Sequence, residues 1–95
     1  MSHYIAFIHK EPGSIYGASF PDVPGVTAAA DSLDAVILQA AEVLSFAAQD
    51  WEDLRHEPFP QPRTIDQIRD DPEFLRDIQD AIVAAIPMTA LADAA

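Results

Sequence analysis

With 95 residues the chain has room for one modest hydrophobic core and not for two, so a single domain over 1–95 is expected. Sixteen acidic against five basic residues give a formal net charge of -11, which repels nucleic acid and favours basic surfaces. The sequence holds no cysteine, no apolar run of membrane-spanning length and no basic leader, so disulfide and thiol chemistry are excluded and a cytoplasmic protein is expected.

Between His3 and His9, Tyr4, Ala6 and Ile8 alternate with Ile5 and Phe7, the pattern of a strand covered at least in part on both faces. Pro12 and Gly13 suit the centre of a type II turn, so a hairpin leads into a second strand over 15–20. Tyr16, Ala18 and Phe20 point to one face of that strand, Gly17 and Ser19 to the other. Pro21 and Pro24 then fix φ twice, and Gly25 permits a backbone that a Cβ would resist. The result is a stiff corner, followed by a short third strand over 26–30.

Asp31 or Ser32 caps a long helix, with Asp34 in its first turn. Leu33, Val36, Ile37, Ala40, Leu44, Ala47, Trp51 and Leu54 recur at three- and four-residue intervals and form the stripe that covers the sheet. Asp34, Glu42, Ser45, Gln49, Glu52 and His56 fall on the solvent side. Leu38 and Phe46 also lie outside the stripe, either as scattered surface residues or as contacts for a partner. Pro58-Phe59-Pro60-Gln61-Pro62 ends the helix as an extended connector. A capping box at Thr64 and Gln67, and Asp71 before Pro72, predict short helices over 65–69 and 72–80. The run Ala81–Ile86 fits helix or strand by composition, and Ala90–Ala95 is expected to fray.

Little in this pattern supports catalysis. His3 and His9 lie about 20 Å apart along a strand, and His56 has no ligand at zinc-motif spacing. There is no nucleophile elbow and no phosphate loop, and the first strand bears no carboxylate to hold a catalytic metal. Asp22 fits the role of a hydrogen-bond acceptor within its turn better than that of a base.

The stretch Tyr16-Gly17-Ala18-Ser19-Phe20-Pro21-Asp22-Val23-Pro24-Gly25-Val26, with the helix start Asp31-Ser32-Leu33-Asp34-Ala35 and then Ala40-Ala41-Glu42-Val43-Leu44, resembles the HicB antitoxins of bacterial toxin–antitoxin pairs. The likeness runs from Tyr4 to Leu44, and more loosely through Pro62 and from Ile82 to Leu91. It implies that the last apolar run is a strand returning to the sheet. The implied fold is α+β, a small antiparallel β-β-β-α-β sheet of partial ribonuclease H type with one long helix and short C-terminal helices.

The resemblance also implies a binding protein with no catalytic residue, cofactor or metal. HicB antitoxins neutralise HicA toxins, small basic RNA-cleaving proteins, by docking over their active surface. The residues expected to touch such a toxin are Phe20, Asp22 and Pro24 in the corner and Glu42, Phe46, Glu52 and Asp53 on the helix. Family members commonly add a DNA-binding module; here Lys10, Arg55, Arg63, Arg69 and Arg76 are scattered, so no direct nucleic-acid binding is expected. Pairing of the final strand with its copy predicts a homodimer or tetramer. The alternative to the antitoxin reading is a self-associating structural or small-ligand module without a toxin partner.

Overall fold

The structure is a computed structural model and describes residues 3–10 and 12–88. Its strands are β1 (His3–Lys10), β2 (Tyr16–Ser19), β3 (Thr27–Ala30) and β4 (Ile82–Pro87). They form one antiparallel sheet in the order β3-β2-β1-β4. The longest strand is central because its residues are apolar on both faces, as the sequence predicted. Gly13, at φ 77°, turns the chain from β1 into β2.

Register decides which residues share a face. Ile8 pairs with Ala18 and Tyr4 with Ile86, so Tyr4, Ala6, Ile8, Ala18 and Ile86 lie together. They form the main core with Phe20 and Val23 from the corner and the buried stripe of α1 (Leu33–Arg55). Phe7 points to the other face, which is covered by the C-terminal helical segment. There its ring meets Phe74 edge-on, centroids 6.0 Å apart, and Ile68 of α2 (Ile65–Arg69) is fully buried.

α1 begins as expected, with Ser32 Oγ accepting the Ala35 N–H at 3.1 Å. It ends at His56, whose left-handed backbone (φ 56°) lets its N–H reach Glu52 O. The buried stripe holds Val36, Ala40, Leu44 and Trp51, and it departs from the predicted stripe in two places. Leu54 is 76% exposed. A helix of 23 residues, about 35 Å long, overreaches strands of four to eight residues, so its last turn stands beyond the sheet. Ser45, expected in solvent, is fully buried beside Ala41. Small side chains at both positions widen the covered arc of the helix on that flank.

The connector after His56 folds back onto the core. Phe59 meets both Tyr4 and Trp51 in edge-on contacts, at 5.6 and 5.3 Å between centroids, and the Tyr4 hydroxyl donates to Pro60 O at 2.7 Å. The Thr64–Gln67 capping box opens α2 as predicted. The stretch expected as one helix over 72–80 divides into a 3-10 turn at Pro72–Phe74 and α3 (Leu75–Asp80), the turn being started by Asp71, which accepts the Glu73 N–H at 3.0 Å. The run Ala81–Ile86 resolves as strand from Ile82, which continues to Pro87 as β4, as the resemblance implied. The expected fraying of Ala90–Ala95 lies outside the described residues.

The two sheet edges differ. On β3 the outward Ala29 N–H donates to Gln39 Oε1 of α1 at 3.1 Å. On β4 the outer edge pairs with no strand among the described residues.

Candidate partner-binding surface

The corner after β2 is held from three directions. Val23 is fully buried and its N–H donates to Phe20 O at 3.2 Å, Val26 N–H donates to Val23 O at 3.3 Å, and Gly25 takes φ 89°. Asp22 then reaches across to the connector, where its carboxylate accepts Arg63 Nε at 2.5 Å and the Arg63 backbone N–H at 2.7 Å. Arg63 Nη1 donates to Asp71 at 3.1 Å, and the guanidinium lies 5.4 Å from the Phe74 ring centre. One arginine thus joins the corner, the connector and the start of the 3-10 turn. The hydrogen bond to Asp22 raises the Arg63 pKa above its ordinary value. The Asp71 carboxyl is held below the usual range by the Glu73 backbone N–H and then by Arg63.

This network decides what the three corner residues offer a partner. The Asp22 side chain is 5% exposed and already bonded twice to Arg63, and Phe20 is 3% exposed within the core. Both shape the corner from inside. Pro24 stands on its surface.

The four helix residues are all exposed. At about 100° per residue, Glu42, Phe46 and Asp53 fall on one narrow ridge, while Glu52 lies roughly 100° round from Asp53. The same spacing adds exposed Asp50, four residues after Phe46, which the sequence reading passed over. Phe46 is 58% exposed and stands among carboxylates, and among the described residues no Lys or Arg pairs with Glu42, Asp50, Glu52 or Asp53. The last turn of α1 adjoins the corner. Arg55 stacks on Trp51 at 4.2 Å, and its Nη2 lies 3.5 Å from where a Cβ on Gly25 would sit. The structure therefore gathers Pro24, Glu52 and Asp53 towards one end and sets Glu42 and Phe46 further up the helix.

Among the described residues no group of three or more His, Cys, Asp or Glu could hold a metal ion, and no helix is long and apolar enough to cross a membrane. The arrangement is a mixed acidic and aromatic surface backed by a braced corner.

The family model described as "HicB_like antitoxin of bacterial toxin-antitoxin system" matches residues 4–95. The chain belongs to the HicB-like antitoxin family. Solved structures agree on the fold of this HicB-like chain. The N-terminal domain of the Burkholderia pseudomallei antitoxin HicB superposes with a TM-score of 0.72 at 23% identity, covering 92% of this chain and 98% of that one. The B. pseudomallei antitoxin HicB gives 0.75 at 24% identity over 92% of this chain, which spans 63% of that antitoxin. A chain of a HicA3 and HicB3 toxin–antitoxin complex gives 0.67 at 21% identity, covering 90% of this chain and 95% of that one. No curated protein matches the sequence. For the HicB-like fold, the edge order and the β4 return seen here are the parts that the strand pattern alone left open.

Proposed function

We propose that this chain is an antitoxin that binds a small, basic, RNA-cleaving toxin of the HicA type and covers its active surface, without running a reaction itself. The observation that carries this reading is Phe46, a large aromatic residue left 58% exposed on a helix ridge that also bears Glu42, Asp50 and Asp53. An aromatic anchor framed by unpaired carboxylates is the complement of a basic face with an apolar centre. The net charge of -11 would speed the encounter and place the chain in competition with RNA for that face. Family membership supports the antitoxin role, and one of the similar structures is a toxin–antitoxin complex. In this reading Pro24, Glu42, Phe46, Glu52 and Asp53 touch the toxin, while Phe20 and Asp22 hold the corner in shape.

The test is an RNA-cleavage assay with a HicA-type toxin, titrated with this chain. Suppression at a stoichiometric ratio, relieved by rising salt, is expected; cleavage that continues unchanged at excess chain overturns the reading. A second reading, self-association through β4, is favoured by its outer edge, which pairs with no strand among the described residues, and by Ile82, which is 45% exposed there. Sedimentation of the chain alone distinguishes a homodimer or tetramer from a monomer.

A further inference from the structure

The corner and the C-terminal helical segment flank a cavity of about 260 Å³ that is open to solvent. Phe7, Phe20, Pro24 and Phe74 line it with apolar surface, and Glu73 and Asp77 add two carboxylates. Its walls come from segments far apart in sequence, yet both are tied to Arg63, through Asp22 on the corner side and through Asp71 and the Phe74 ring on the other. The cavity is therefore shaped before anything enters it, which spares an occupant the cost of ordering the walls. Its volume falls below the roughly 300–1,000 Å³ of small-molecule clefts. One long side chain is a better match than a metabolite.

The chemistry of the lining narrows which side chain. Glu73 and Asp77 are exposed and four residues apart, and among the described residues neither pairs with Lys or Arg. Two guanidinium groups flank the cavity and both are engaged elsewhere, Arg63 by Asp22 and Asp71, and Arg55 by the Trp51 ring, with its Nη2 3.5 Å from the Cβ position of the lining residue Gly25. Aromatic and proline surface below two carboxylates suits a cation with an apolar stem. Arginine fits better than lysine, because its guanidinium is flat, sheds water more readily, stacks on aromatic rings and forks onto carboxylates.

We infer that this cavity receives one arginine side chain of a basic protein partner, its stem along Pro24 and its guanidinium against Phe74 between Glu73 and Asp77. The inference rests on the reading of a basic protein partner and adds a second attachment point, apart from the Phe46 ridge. It places the partner across the corner as well as along α1.

A titration without any toxin tests it. L-argininamide is added to the isotopically labelled chain and backbone amide shifts are followed by NMR, with L-lysinamide and citrulline amide, which shares the α-ammonium but has a neutral side chain, as comparisons. Saturable shifts centred on Gly25, Phe74 and Asp77 are expected with argininamide, weaker ones with lysinamide and none with citrulline amide. Glu73→Gln and Asp77→Asn, each checked for an unchanged spectrum elsewhere, are each expected to weaken binding about tenfold. Shifts spread evenly over the acidic surface, equal response to citrulline amide, or affinity in both variants unchanged from the parent chain each overturn the inference. Because no toxin is present, such a failure leaves the antitoxin reading standing. Failure of the RNA-cleavage assay alone would remove that reading while the cavity kept its ligand.

Discussion

Asp22 and Arg63, 41 residues apart in sequence, are joined twice, once through the guanidinium Nε and once through the backbone N–H. The second bond matters because it fixes the connector itself, whatever the side chain does. Asp22 is nearly inaccessible, so Asp22→Ala leaves two part-buried donors of Arg63 without their acceptor. A loss of about 2 kcal/mol in stability is expected, read as a lower urea midpoint with an unchanged slope. Asp22→Asn, which keeps one acceptor, should fall between the two. An Asp22→Ala chain as stable as the parent would show that the corner stands without this tie.

Tyr4 gives the fold an alkaline limit. Its pKa is raised, first by burial and then by the nearby Asp22 charge, and its neutral hydroxyl donates to Pro60 O. A raised folded value means that the contribution is complete below the ordinary tyrosine value of 10.0 and is lost as pH climbs from there through the raised value. Tyr4→Phe is expected to cost about 1 kcal/mol at neutral pH and to lose less stability than the parent above pH 10.0. Parallel stability curves for the two chains would contradict this assignment.

Gly25 should resist substitution for a backbone reason. A Cβ there would meet Arg55 only at an ordinary 3.5 Å, so space is not the obstacle, but φ 89° is a conformation that side chains disfavour. Gly25→Ala is expected to lose about 1 kcal/mol, measurable by thermal or urea unfolding. Equal stability would mean that the corner readily adopts another backbone.

Phe46 separates folding from binding. It lies on the outer ridge of α1, so Phe46→Ser should change stability by no more than about 0.5 kcal/mol. Affinity for the toxin should fall by at least about tenfold if this ring is the anchor, as read by calorimetry. Unaltered affinity would take the ridge out of the interface.

The contrast between Thr64 and Arg63 shows what the sequence made legible. Thr64 is read correctly because a capping box is local, with donor and acceptor three residues apart. Ser32, the Pro12-Gly13 turn, β1 and the corner were legible for the same reason. Arg63 appeared only as one scattered basic residue, because nothing in its neighbourhood names a partner on the far side of the fold. The same limit applies to the candidate surface. Exposure of Phe46 followed from helical spacing, whereas burial of Phe20 and engagement of Asp22 depend on tertiary contacts that spacing does not encode. Ser45 and Leu54 mark the limits of a periodic stripe, which records direction around a helix but neither the size of the neighbours nor where the sheet stops.

Gln39 has an effect beyond satisfying one amide. By engaging the outward N–H of Ala29 it takes one of the groups on which another strand would otherwise be templated, while among the described residues the outer edge of β4 meets no strand. A sheet that can grow from only one side cannot propagate. Two copies joined at β4 would present only their guarded β3 sides to a third, so association by strand addition ends in a closed pair rather than a fibre.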